Sequence, residues 1–385
     1  MARFSFNELY KIVRIEKITL REINLPLKEP FRISSGVTAI RRIALLELRS
    51  SDGVVEWSEC VAGEEPNYSY ETIDTAWWAI REWIAPRILG KELTGPQDVY
   101  PILEKEIRGH GMAKAAVEMG IWGVTSRMKG VSLARLIGGV RKEIEVGISI
   151  GIQPTPQALA EKVRQALARG YRKIKMKIEP GKDVDYVRYV RSVIPTDTHL
   201  MVDANNAYDE ADFQRLQALD EFKLLMIEQP LACDDLVRHA RLQKLIRTPI
   251  CLDESIISPE HAEDMIELGS GRIVNIKPGR VGGLTASIAI HDICAKHGIP
   301  VWCGGMLESG IGRAYNVALA SLPNFTIPGD ISPSDRYWEK DIVVPPWSMT
   351  DRGTIRVPEE LPGIGVVVDH DRVENLTIRS EILNA

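Results

Sequence analysis

Five short runs decide the fold: KIKMK (173–177), LMVDAN (200–205), LLMIEQP (224–230), ICLDES (250–255) and IVNIKPG (273–279). Each reads as a buried strand, and each closes on a charged residue. The charges fall in register. Lys177 to Asp203 spans 26 residues, Asp203 to Glu228 25, Glu228 to Asp253 25 and Asp253 to Lys277 24. Such a period fits a strand, a crossover helix and the next parallel strand. Outward from these runs the same rhythm gives eight candidate strands: Ile144–Ile150, Lys173–Ile178, Leu200–Ala204, Leu224–Ile227, Ile250–Leu252, Ile273–Ile276, Pro300–Cys303 and Phe325–Ile327. Between them, Pro156–Arg169, Asp183–Val193, Asp209–Leu219 and Pro259–Leu268 carry apolar residues at helical spacing. Eight strand–helix units in about 190 residues predict a (β/α)8-type (TIM-like) barrel. A solenoid is disfavoured by the absence of an LxxLxL-type signature. A doubly wound sheet is disfavoured by the missing GxGxxG after the first strand.

The flanks read differently. Val13–Leu20 and Ile43–Leu48 are strand-like, Ser51-Asp52-Gly53 is a turn signal, and Tyr70–Leu89 and Met112–Leu136 show helical spacing that stops at Gly138-Gly139. The expected division is an N-terminal α+β domain over 1–140, a barrel over 141–345, and a C-terminal tail over 346–385 packing back on the first domain, which the resemblance described below makes a capping domain.

The chain has 385 residues, a prior of two to three domains. It carries 48 Lys plus Arg against 53 Asp plus Glu, a net charge of -5, so a nucleic-acid partner is not expected. No run approaches a membrane span. Charges spread through MARFSFNELYKIVRIEKITL (1–20), where a signal peptide needs an apolar block. Cys60, Cys233, Cys251, Cys294 and Cys303 are odd in number and form no CxxC, which suits reduced thiols and a cytoplasmic location.

A barrel concentrates its chemistry at the C-terminal ends of its strands, where the five charges lie. Alone, each Asp or Glu there reads as a helix cap and each Lys as a residue reaching water. Five in register read as a site. Asp203, Glu228 and Asp253 on adjacent strands make an all-oxygen ligand set for a hard cation, Mg2+ rather than Zn2+, with Mn2+ able to substitute. Asn205 and Glu254 stand just beyond them, in supporting or loop positions. Lys177 and Lys277, four strands apart, should face each other across the mouth. A bound carboxylate would then present its α-carbon between two amines, and proton abstraction would give an enediolate stabilised by the cation. A lysine acting as base must be neutral, so its pKa is expected to fall, helped by the cation and by Lys175 on the same strand face.

The set KMK (175–177), DANN (203–206), EQP (228–230), DES (253–255) and KPGRVGG (277–283) resembles the muconate lactonizing enzyme subgroup of the enolase superfamily, and within it the o-succinylbenzoate synthase / N-succinylamino acid racemase family. PFRISSG (30–36), WSECVA (57–62), GHGMAKAAVEM (109–119), GISIG (147–151), GGMLESGIGRA (304–314) and SDRYW (334–338) extend the likeness over nearly the whole chain. The resemblance implies metal ligation by Asp203, Glu228 and Asp253, acid/base roles for Lys177 and Lys277, and a supporting role for Lys175. Arg280 in KPGR fits the racemase-containing branch. Loops near Phe31–Gly36, which include Ser34, and near Glu64–Tyr68 would close over the barrel. Ser149 and the Gly304–Glu308 turn, with Met306 and Leu307, match positions lining the substrate pocket. The implied substrate is a small carboxylate, an N-succinylamino acid or a cyclohexadiene carboxylate, and the implied assembly a homo-oligomer.

A mandelate-racemase-like site would place a His–Asp pair where Lys277 stands. A dipeptide epimerase would carry an Asp-x-Asp that GGMLESG lacks. Dipeptide epimerase or cycloisomerase chemistry stays as an alternative, followed by a Schiff-base lysine aldolase and a non-catalytic metal-binding barrel. Gly310-Ile311-Gly312 could offer amides to a carboxylate or be plain turn chemistry.

Overall fold

The computed structural model describes residues 12–34 and 36–385. Residues 1–11 of the expected N-terminal unit and Ser35 of the 30–36 motif lie outside the described residues. The chain opens with three antiparallel strands, β1 (Ile15–Ile33), β2 (Gly36–Ser50) and β3 (Val55–Cys60). Ile18, Leu20, Leu46 and Leu48 on their inner face are fully buried. Two helices cover that face, α1 (Ile73–Ala79) and α2 (Gly111–Met128). Helix α2 lies close to the sheet because residue 120 is glycine: a Cβ there would stand 2.4 Å from Leu48 Cδ1. The helical run expected over Met112–Leu136 is split at Gly130 (φ 66°) and resumes as Leu133–Leu136, capped by the Ser132 hydroxyl. The C-terminal strand, Thr377–Asn384, pairs antiparallel with β1, giving the order C-terminal strand–β1–β2–β3.

The following region is a curled parallel sheet, each strand paired with its sequence neighbour: β4 (Gly147–Ile150), β5 (Lys173–Lys177), β6 (Leu200–Asp203), β7 (Ile227–Glu228), β8 (Ile250–Leu252), β9 (Ile273–Ile276) and β10 (Val301–Cys303). Helices α3 (Pro156–Ala168), α4 (Val184–Val193), α5 (Phe213–Ala218), α6 (Leu236–Leu245), α7 (Pro259–Leu268), α8 (Leu284–Lys296) and α9 (Gly310–Ala320) alternate with them. Seven of the eight expected strands form. Phe325–Ile327 makes only single parallel bridges, Val301↔Phe325 and, just beyond, Val146↔Gly329. Pro323 and Pro328 remove ladder donors from this segment. Closure survives through main-chain bonds from Gly147 N to Gly329 O (2.6 Å) and from Asp330 N to Cys303 O (2.9 Å). The tail thus touches both units, since Thr354–Arg356 also pairs with Glu143–Glu145 beside the barrel.

Candidate active site

Alternation along β5 turns Lys173, Lys175 and Lys177 to one side, the barrel interior, and all three are buried. Lys173 lies deepest, its Nζ 3.4 Å from the Trp302 ring centroid and 3.3 Å from Asp330 Oδ1. Lys175 Nζ reaches Asp330 Oδ2 (2.7 Å), Glu228 Oε2 (3.0 Å) and Asp203 Oδ2 (3.1 Å). Lys177 Nζ donates to Asp203 Oδ2 (2.6 Å) and to the Asn205 side-chain oxygen. Across the sheet, Lys277 Nζ donates to Asp253 Oδ2 (2.7 Å) and to the Tyr68 hydroxyl (3.1 Å). Arg280 pairs with Asp253 Oδ1, and its Nε holds Ile256 O (2.8 Å). Glu228 Oε1 accepts from the Asn275 amide (2.7 Å).

Strand ends this crowded require special backbone. Asn205 (φ 43°), Asn206 (φ 64°), Gln229 (φ 38°) and Leu307 (φ 57°) all adopt left-handed conformations at the rim. Gln229 repays its strain by ordering the next strand end: its Oε1 accepts from Asp253 N (3.0 Å) and Ser255 N (3.2 Å).

The electrostatics follow from burial and crowding. Glu228 is pushed up to about 8, first by burial and then by the charge of Asp203, with Asp253 adding to it. Burial raises Glu254 to about 7, helped by Asp253 and Asp203. Burial also opposes ionisation of Asp203, yet Lys177 and Lys175 outweigh it and hold that carboxyl below its usual range. Burial pulls the pKa of Lys277 down, but the Asp253 carboxylate more than compensates and holds the ammonium above its ordinary value.

Among the described residues, no three His, Cys, Asp or Glu side chains are gathered as a ready ligand set. Lysine ammoniums bridge the carboxylates instead. The donor set nonetheless fits a hard divalent cation. Three buried carboxylates on adjacent strands crowd one another enough to shift Glu228, and beside them Glu254 Oε2 and Asn206 Oδ1 are buried acceptors with no partner.

A cavity of about 130 Å³ opens above the lysines, lined from below by Lys177, Lys277 and Asn205, from the end of β1 by Phe31 and from a rim turn by Met306 and Leu307. Ser149 and Ser34 do not line it. Ser149 is buried on β4 with an unpartnered hydroxyl, and Ser34 donates to the carbonyls of Ala204 (3.4 Å) and Asn205 (3.3 Å), tying the β1–β2 tip to the rim. The amides of Gly310 and Gly312 are already taken, by Asp341 Oδ1 (2.9 Å) and Glu59 Oε2 (3.0 Å), so that helix start does not bind a ligand carboxylate. Sequence reasoning missed Tyr68 as a site residue, and also Asn275 and Asp330. Asn275 lies two residues before Lys277 and could have been found from strand alternation. Tyr68 comes from an irregular loop and carried no such signal.

A barrel with this rim and an antiparallel cap is the architecture of one class of enzymes, and the comparisons agree. The model described as Mandelate racemase / muconate lactonizing enzyme, N-terminal domain, matches residues 15–138, and Enolase C-terminal domain-like matches 158–372. The chain belongs to the enolase superfamily, in the muconate-lactonizing branch that holds the o-succinylbenzoate synthases and N-succinylamino acid racemases. It is 51% identical to an o-succinylbenzoate synthase of Geobacillus kaustophilus over 365 residues, 95% of this chain and 96% of that one. It is 46% identical to an N-succinylamino acid racemase of Amycolatopsis sp over 365 residues, 95% of this chain and 98% of that one. Among solved structures, an enolase-superfamily member from Listeria innocua superposes with a TM-score of 0.93 at 39% identity, covering 97% of this chain and 99% of the other.

Proposed function

We propose that the enzyme abstracts the proton α to a carboxylate, racemising N-succinylamino acids, forming o-succinylbenzoate by loss of water, or both. The observation that carries this reading is the pair Lys177 and Lys277, delivered by β5 and β9 to one cavity and each held by its own aspartate. For racemisation, one lysine takes the α-proton from one face of the carbanion centre and the other returns a proton to the opposite face. For elimination, one lysine removes the proton while the other, still an ammonium, sits against the developing negative charge. Asp203, Glu228 and Asp253 would hold the divalent cation on which members of this superfamily generally depend, Mg2+ in this proposal, with Mn2+ able to substitute. When bound, it supplies positive charge to the substrate carboxylate and to the enediolate. Lys175 fixes Asp203 and Glu228 from below, Asn205 and Glu254 buttress the rim, and Arg280 holds Asp253.

An acylated, uncharged substrate nitrogen suits the closing segment of the barrel. Its acid, Asp330, is already engaged by Lys173 and Lys175, which leaves no free carboxylate there for an ammonium. The division into cap (1–140), barrel (141–345) and tail (346–385) belongs to this proposal, and is supported by the two sheets and by pairing of the C-terminal strand with β1. No helix among the described residues is long and apolar enough to cross a membrane. A cytoplasmic homo-oligomer completes the reading, and sedimentation of the purified chain and cell fractionation check it.

The test is proton NMR of N-succinyl-L-phenylalanine in D2O with enzyme, with and without Mg2+, followed by polarimetry of the same sample. Mg2+-dependent loss of the α-proton signal with decaying rotation is the expected result. Exchange with retained rotation would assign elimination as the main task. Absence of exchange, together with no conversion of the cyclohexadiene substrate, would overturn the reading.

A further inference from the structure

Lys173 opens β5 and is fully buried in the barrel interior, on the same strand face as Lys175 and Lys177 but beneath both. Strand alternation would accept an apolar side chain there, and an ammonium taken out of water is costly unless its charge is met. Two groups meet it. The Trp302 ring centroid lies 3.4 Å from its Nζ, and Asp330 Oδ1 lies 3.3 Å away. Trp302 is itself held: its Nε1 donates to Cys251 Sγ (3.3 Å), and it clusters with Met201, Met226 and Ile273. Burial lowers the Lys173 pKa, while the charges of Asp330 and Glu228 oppose the fall, so the field of an acid at the rim reaches this depth.

Asp330 is shared. It is 4% exposed, and among the described residues its carboxylate oxygens are paired only with Lys173 and Lys175. Lys175 is shared as well, 2.7 Å from Asp330 Oδ2, 3.0 Å from Glu228 Oε2 and 3.1 Å from Asp203 Oδ2. Its shortest ion pair is therefore to the acid beneath it, and Lys173 occupies the other oxygen of that acid. Lys173, Asp330 and Lys175 together place one net positive charge under Asp203 and Glu228. Without Lys173 the remaining two would form a neutral pair, and Asp330 would be free to draw Lys175 down from the carboxylates above. We propose that Lys173 is a positioning residue of the cation site: by dividing Asp330 it keeps Lys175 on Asp203 and Glu228, and so restrains how tightly those carboxylates take a divalent cation. This rests on the cation site of the proposed function and names what sets its affinity.

The experiment titrates the metal-free, full-length enzyme with Mg2+, and again with Mn2+, by calorimetry. Lys173→Met should bind the cation roughly fourfold to a hundredfold more tightly than the parent, the span for one unit charge acting on a divalent ion as the effective dielectric falls from that of water toward 20. Asp330→Asn should bind it more weakly by a factor in the same range, because the acid between the two ammoniums is gone. Lys173→Arg keeps the charge and should stay near the parent. The double variant Lys173→Met/Asp330→Asn removes one charge of each sign, so its affinity should return toward the parental value. Damage to packing alone would weaken every variant, so tighter binding by Lys173→Met is a result that a scaffold role does not give. Weaker or unchanged binding by Lys173→Met overturns the proposal, and so does an Arg variant that matches the Met variant. If Asp330→Asn does not fold, the double variant, which removes both members of the buried pair, replaces it and must bind more weakly than Lys173→Met. A parental enzyme that takes neither cation overturns the cation site of the proposed function together with this inference, before any variant is compared.

Discussion

Lys177 and Lys277 line one cavity but stand in differently built surroundings. Every partner of Lys177 belongs to the barrel: Asp203 and Asn205 are on and just beyond β6, and Lys175 backs them from two residues away, itself held by Asp330. Lys277 has a mixed set. Asp253 comes from the end of β8 and Tyr68 from the capping domain, and both are also held by Arg280, from the turn after Lys277. Tyr68 also donates to Asp253 Oδ1 (3.0 Å), so one cap side chain touches both members of that pair. Strand register alone builds the first face, while the second is complete only with the cap in place. On the proposed two-base chemistry, the half served by Lys277 would depend on a side chain of the cap and the half served by Lys177 would not.

The largest effect separates the two faces outright. Lys177→Ala and Lys277→Ala should each lower racemisation by roughly 10²–10⁴-fold, the span for loss of a general acid–base. Each variant should still exchange the α-proton of one enantiomer, and of opposite enantiomers in the two variants. NMR in D2O on resolved D and L substrate reads this directly. Two variants that spare the same enantiomer would break the two-face assignment.

Asp330→Asn probes the barrel-built face from beneath. It takes the paired carboxylate from Lys173 and one of three from Lys175, both buried, and removal of one partner from a buried pair costs about 3–5 kcal/mol. A lower midpoint in urea is expected, with weakened exchange of the enantiomer served by Lys177. An unchanged midpoint would mean that the lysine column does not depend on this acid.

Tyr68→Phe probes the other face. It deletes the hydroxyl that bridges Lys277 and Asp253 and leaves the ring in place. Roughly a tenfold loss is expected, in keeping with hydrogen bonds to charged groups. The loss should fall on the enantiomer deprotonated by Lys277 and leave thermal stability nearly unchanged. Equal losses for both enantiomers would erase the contrast between the faces.

The same contrast explains what the sequence could reveal. Lys177, Asp203, Glu228, Asp253 and Lys277 were legible because a parallel barrel repeats one position every 24–26 residues, and Lys175 because alternation puts it on the same strand face as Lys177. Register alone is enough to bring Lys177 beside Asp203. Tyr68 was legible only as the end of the Glu64–Tyr68 loop that family likeness sets over the barrel, since nothing in a loop of the cap states which barrel residue it will meet. The eighth strand failed for a local reason: Phe325–Ile327 has strand composition, but Pro323 and Pro328 on either side leave it only isolated bridges. The long helix expected over Met112–Leu136 failed at a single residue, Gly130, whose positive φ ends it. Ser149 and Ser34, carried over from family likeness, do not line the cavity: Ser149 is buried beside Lys175 and Ser34 donates to the Ala204 and Asn205 carbonyls.

The smallest effect concerns how the cap-dependent face is anchored. Glu118 of α2 reaches into the start of α8, the helix that follows Lys277, and accepts from Leu284 N (2.8 Å), Thr285 N (2.9 Å) and Trp122 Nε1 (2.8 Å). Gly283 (φ 123°) permits this approach, since a Cβ there would lie 2.2 Å from Glu118 Oε2. Burial lifts Glu118 from 4.5 to about 7 despite those donors. Between these values the folded chain holds a proton that the unfolded chain has released. The stabilisation is therefore full below about 4.5 and is lost as pH rises through about 7, with a slope of at most ~1.4 kcal/mol per pH unit from this one group. Glu59 and Glu71, also near 7, add slopes of the same sign. Urea midpoints measured from pH 4.5 to 8 should decline over this window, and Glu118→Gln should flatten part of the decline while lowering the unfolding free energy by about 1–3 kcal/mol for the imperfect cap. A Gln variant with the parental slope would show that Glu118 is ionised throughout, and that the cap is tied to the Lys277 side by a charged carboxylate rather than a shared proton.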